Sequence, residues 1–157
     1  MLFRSYKSDK AKENLNIYRV FQDAKEIWKH SLENTTITLR EDIDKSLEIY
    51  TGKNELLQLF LSIIDYILER FKTKNIEDGF IYLIIKKEAQ KIIIVFQDSD
   101  SEFDEHEMVF DRKKQSTMML SLYTTKQMLK ENFNGSIKVS KNQIGRIFEI
   151  ELGVYNG

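Results

Sequence analysis

The sequence predicts an α/β (α+β) two-layer sandwich, with a mixed sheet of about five or six strands covered on one face by three helices. Three features of the chain lead there. Residues 17–33, 54–71 and 117–132 carry apolar side chains at helical spacing. Between and after them lie pairs of short β-branched or alternating runs. The links within each pair are of hairpin length, so helices and strand pairs interleave as helix, two strands, three times over.

The first helix, 17–33, places Ile17, Val20, Phe21, Ala24, Ile27, Trp28 and Leu32 on one side and Lys25, Glu26 and Lys29 on the other. Ile37 and Leu39 then alternate with Thr38 and Arg40, and Leu47 and Ile49 with Glu48 and Tyr50, as two half-buried strands. The helix at 54–71 is apolar over more than half its circumference and therefore must be deeply buried. Residues 80–85 and 92–96 are continuous apolar runs across a polar turn, 86–91, as expected of the two central strands of a sheet. In the third helix the core stripe is Met118, Leu122, Leu129 and Phe133, and Gly135 ends it. Strands at 136–140 and 147–152, joined by a turn at 142–145, complete the domain. Residues 15–154 read as one domain, and 1–14 as a tail or the end of an upstream helix.

Composition narrows the function. A chain of 157 residues with 41% hydrophobic content suits one domain, and a net charge of −1 with mixed signs gives no field for nucleic acid. There is no cysteine, which removes disulfides, thiolate metal sites and thiol nucleophiles and fits a cytoplasmic location. No apolar run approaches the ~18 residues of a membrane span. His30 and His106 have no partner spacing that would make them metal ligands.

One stretch stands out, VFQDSDSEFDEHE at 95–107, where an apolar strand gives way to a run of acids. Alternation of Asp98, Asp100 and Glu102 invites a calcium loop. The sixth position, however, is Phe103 where the turn needs glycine, and the twelfth is Val109 where a bidentate glutamate is needed. A solvated acidic loop is the simpler reading. A second feature is a polar stripe, Ser62, Asp65, Tyr66 and Glu69, on the otherwise apolar second helix, which should face a cavity or a partner.

These words and their order resemble the ATP-binding domain of bacterial sensor histidine kinases, the GHKL or Bergerat fold. KNELLQLFLSIIDYILERF is similar to the family's N-box helix and IIIVFQDSDSEFD to its first glycine box. STMMLSLYTTKQMLKENFNGSIKVS resembles the second glycine box and following helix, and GRIFEIEL the closing strand. The resemblance implies nucleotide-site positions at Ser62, Tyr66, Asp98, Asp100, Glu102, Thr117, Met119 and Ser121.

At those positions the chain departs from the family. Ser62 and Tyr66 stand where the family has two asparagines, the second of which holds the magnesium; a phenol is a poor ligand for that ion. The first box, Asp-x-Gly-x-Gly, reads Asp98, Ser99, Asp100, Ser101, Glu102, keeping the adenine-binding aspartate and losing both glycines. In the second box Thr117, Met119 and Ser121 replace three glycines, and the lid between the boxes is short, at 104–115. A helix N-terminus still offers N–H groups to an anion, but Met119 would block close approach.

The expectation is a histidine-kinase-like domain without nucleotide, ATP or Mg2+, acting as a regulatory or protein-interaction module in two-component signalling. Its partner would be a response regulator, a dimerisation hairpin or another kinase. The alternatives are an active kinase domain that binds ATP in a non-standard way and a stand-alone α/β domain for another small ligand.

Overall fold

The structure, a computed structural model, describes residues 12–100 and 117–153, with backbone only for 117–122. Its first element was not expected: Lys12–Asn16 is a strand, β1. It pairs antiparallel with β3, Glu48–Gly52, so that Leu15 lies opposite Ile49. The last residues of the expected tail, 12–14, are therefore strand, and the rest of that tail lies outside the described residues. Between these strands come helix α1, Ile17–Glu33, and strand β2, Thr38–Ile43.

Asn16 ends β1 and caps α1 at once. Its Oδ1 accepts from the Arg19 N–H at 3.0 Å, satisfying a donor that the first helical turn leaves without a partner, and its Nδ2 donates to the Lys45 carbonyl at 2.8 Å. The buried stripe of α1 is Ile17, Val20, Phe21, Ala24 and Trp28. Ile27, which the spacing assigned to that stripe, is 54% exposed; it sits at the stripe's edge, one position before the buried Trp28 and turned away from it around the helix.

Helix α2, Lys53–Thr73, is buried along most of its length, from Leu56 to Phe71. The remaining elements are β4 (Phe80–Glu88), β5 (Lys91–Asp98), α3 (Thr117–Asn132), β6 (Ser136–Lys141) and β7 (Arg146–Gly153). β4 and β5 reach further than their apolar runs, leaving only Ala89 and Gln90 as the turn, with Ala89 at φ 55°.

The five-stranded sheet has the order β2-β4-β5-β7-β6; β2 and β4 are parallel and every other pair is antiparallel. β3 was expected in the mixed sheet and instead makes a separate two-stranded sheet with β1, tied to the start of α1 by the Ile17 N–H and the Leu47 carbonyl at 3.1 Å. Three helices and the mixed sheet form an α+β sandwich. Alternation along β4, β5 and β7 turns Leu83, Ile94, Phe96 and Ile150 to the helices, where Phe21 meets Phe60 edge-on at 5.2 Å.

Gly135 follows α3 as expected, but the left-handed residue there is Asn134, at φ 47°. The glycine is needed for room: a Cβ on it would lie 2.2 Å from the Glu151 carbonyl oxygen in β7. Of the expected α3 stripe, Leu129 and Phe133 are buried, while the side chains of Met118 and Leu122 lie outside the described residues.

Candidate functional site

Asp98 closes β5 in phase with Ile92, Ile94 and Phe96, and so points into the core with no exposure at all. Arg146 opens β7 in phase with Phe148, Ile150 and Leu152, and it too is wholly buried. The β5–β7 register, which pairs Gln97 with Ile147, sets these two residues opposite one another one step further on. A carboxylate and a guanidinium thus meet inside the protein.

The contact is close. Arg146 Nε donates to Asp98 Oδ1 at 3.2 Å, and Nη2 lies 2.7 Å from Asp98 Oδ2. The second approach is a charge contact and not an aligned hydrogen bond. Asp98 Oδ1 also accepts the Asp100 N–H at 2.9 Å, which curls the chain and turns Asp100, 1% exposed, back toward the same arginine; its Oδ2 lies 3.6 Å from Arg146 Nε. From α2, Arg70 donates to that Oδ2 through Nη2 at 3.2 Å and Nε at 3.4 Å. Two aspartates and two arginines therefore share one buried cluster of balanced charge.

Aromatic rings flank it. Tyr66 is 2% exposed and packs edge-on against Phe148, with centroids 5.8 Å apart and planes at 80°. Arg146 Cζ lies 5.2 Å from the Tyr66 centroid and 5.4 Å from that of Phe148. Burial pushes the Asp98 carboxyl above its ordinary 3.8; the Arg146 charge, the Arg146 hydrogen bond and the Asp100 N–H oppose that rise, and the Asp100 charge adds to it. Beside the cluster, the Ser99 hydroxyl accepts the Phe80 N–H at 3.0 Å and fixes the end of β5 against β4.

A nucleotide-free form of the catalytic domain of histidine kinase ThkA is similar at a TM-score of 0.79 and 13% identity, covering 91% of this chain and 95% of that one. The fold is that of a histidine kinase catalytic domain. The histidine kinase AdeS of Acinetobacter baumannii has a TM-score of 0.74 at 17% identity, over 92% of this chain and 68% of that chain. ThkA in complex with the response regulator protein TrrA gives 0.77 at 14% identity, over 92% of this chain and 42% of that one. No protein-family model matches the sequence, and no curated protein matches it significantly.

On this histidine-kinase fold, the positions named from the resemblance divide into two groups. Asp98, Asp100 and Tyr66 come together around Arg146; Ser62 lies one turn before Tyr66, buried, its hydroxyl accepting from Gln58 Nε2 at 2.8 Å. Glu102 falls outside the described residues, as do the side chains of Thr117, Met119 and Ser121, whose backbone forms the start of α3. Arg146 and Arg70 escaped the sequence reading. A signal was present: both occupy inward positions, Arg146 in the alternation of RIFEIEL and Arg70 three residues after Ile67 on α2.

The polar stripe of α2 does not share one environment. Ser62 and Tyr66 are buried, whereas Asp65 and Glu69 are exposed on an open groove of about 800 Å³ between α1, α2 and the 34–37 segment. There Trp28 Nε1 donates to Asp65 Oδ1 at 3.3 Å. Among the described residues, no helix is long and apolar enough to cross a membrane.

Proposed function

We propose that this chain is a histidine-kinase-type domain of cytoplasmic two-component signalling that no longer binds nucleotide and serves as a regulatory or protein-interaction module. The observation that carries this reading is the Arg146–Asp98 pair. In the family that the sequence resembles, this aspartate receives the adenine amino group; here its oxygens face a guanidinium 2.7 and 3.2 Å away and an Asp100 N–H at 2.9 Å.

Magnitudes favour the arginine over a base. A neutral nucleobase that displaced Arg146 would leave a buried guanidinium short of its partner, a change that costs about 3–5 kcal/mol. Subtracting that from the ~8 kcal/mol of a micromolar binder leaves about the binding energy of a millimolar one. Tyr66, at the position of the magnesium-bearing asparagine, adds a buried ring where a hard cation needs an oxygen ligand.

A response regulator is the first partner to consider, because ThkA, a similar fold, is known in complex with one. A dimerisation hairpin or another kinase are the other candidates. The test is a thermal melt with and without ATP or ADP and magnesium. Ligand at ~100 times its dissociation constant would add about 2.7 kcal/mol and raise the midpoint by several degrees. No rise is expected; an active kinase domain holding ATP in a non-standard way gives the opposite result. A pocket for another small ligand at this position would need the space that the Tyr66 ring fills.

A further inference from the structure

We propose that Asp98 and Asp100, with the rings of Tyr66 and Phe148, form a recognition site for a planar amidinium-type cation, and that Arg146 fills it in cis as a tethered ligand. The inference rests on the reading that this site is closed to nucleotide, and names what closes it by chemical class.

Charge comes first. The two carboxylates are 0% and 1% exposed, so water cannot solvate them. Arg70 reaches Asp100, at 3.2 and 3.4 Å. Asp98 faces Arg146, through Nε at 3.2 Å and Nη2 at 2.7 Å. One edge of the guanidinium thus faces both Asp98 oxygens, Nε through a hydrogen bond and Nη2 through a charge contact, an approach open to a flat cation and not to a point charge.

Shape agrees. The guanidinium carbon lies 5.2 Å from one ring centroid and 5.4 Å from the other, and the rings stand at 80° to each other. Aromatic neighbours favour a weakly hydrated, delocalised cation over a strongly hydrated ammonium. A neutral heterocycle of similar outline would bring no charge to Asp98. The selectivity of the site therefore follows from its own carboxylates.

The tether is short and fixed. Arg146 follows a turn in which Asn142 Oδ1 accepts the Ile144 and Gly145 N–H groups at 2.8 and 3.0 Å, and Gly145 rests on the Asp98 main chain. The arginine is thereby set in place before any ligand could compete.

The experiment is a thermal melt of the full chain carrying Arg146→Ala, with methylguanidinium chloride at millimolar concentration, far below that at which guanidinium salts unfold proteins. Tetramethylammonium chloride and sodium chloride at equal concentration are the controls. The variant should melt below the parent, and methylguanidinium alone should return several degrees in a saturable way. The parent should not respond, and adding Asp98→Asn to the variant should abolish the rescue. Equal behaviour in all three salts, or an equal response from the parent, overturns the proposal. If Arg146→Ala does not hold its fold unaided, recovery of the near-ultraviolet signal of Trp28 on adding methylguanidinium is expected, and its absence overturns the proposal too. A parent that binds ATP would defeat the nucleotide reading, whereas an unrescued variant defeats this inference and leaves that reading standing.

Discussion

A Cβ on Gly145 would lie 1.9 Å from the main-chain carbonyl oxygen of Asp98. The turn before β7 is thus packed on the end of β5 with no allowance for a side chain, and that contact sets Arg146 at the depth where its guanidinium meets the Asp98 carboxylate. Gly145→Ala should force the two strands apart at this point. Overpacking costs about 1–3 kcal/mol where side chains can give, and a backbone clash belongs at the upper end or above it. Urea unfolding checks this; an unchanged midpoint would mean that the close approach is not maintained in solution.

Tyr66 offers a second test, because it separates filling from charge. Tyr66→Ala removes a ring 2% exposed and packed edge-on against Phe148, and should cost about 3–5 kcal/mol. Tyr66→Phe keeps the ring and should cost less. Neither change frees Asp98 from Arg146, so neither variant should gain a nucleotide-dependent rise in its melting midpoint. A rise with Tyr66→Ala would place the obstacle in the ring alone.

Stability should also respond to acid through Asp65. Although Asp65 borders the open groove, partial burial raises its pKa above the ordinary 3.8, partly offset by the Trp28 hydrogen bond. The folded state then binds the proton more tightly than the unfolded chain, so the contribution is fully present below 3.8 and is lost as pH rises through the raised folded value. Asp98 acts with the same sign. Asp65→Asn keeps an acceptor for Trp28 Nε1 and removes the charge, so it should match the parent below pH 3.8 and exceed it in stability at neutral pH. Urea midpoints at the two pH values test the sign, and a variant weaker than the parent only at neutral pH would reverse it.

Legibility in the sequence followed the density of apolar pattern. The bounds of α1 were readable to the residue, because Ile17, Val20, Phe21, Ala24 and Trp28 repeat at helical spacing and end in polar residues. Strand β1 was not, since KENLN buries only Leu15 and owes its form to pairing with β3, more than thirty residues away. The same non-local pairing drew β3 out of the main sheet. At the site, Asp98 and Tyr66 were visible through their places in recognisable words. Arg146 and Arg70 were not, because a charged residue within an alternating strand or helix reads as a solvated position until the register brings an opposite charge to it.

Direct titration of the protein with ATP and magnesium, followed by isothermal calorimetry, bears hardest on the claim that Arg146 has taken the place of the nucleobase. A flat trace is the predicted result, for ATP and ADP alike. Saturable heat with a micromolar dissociation constant would contradict it.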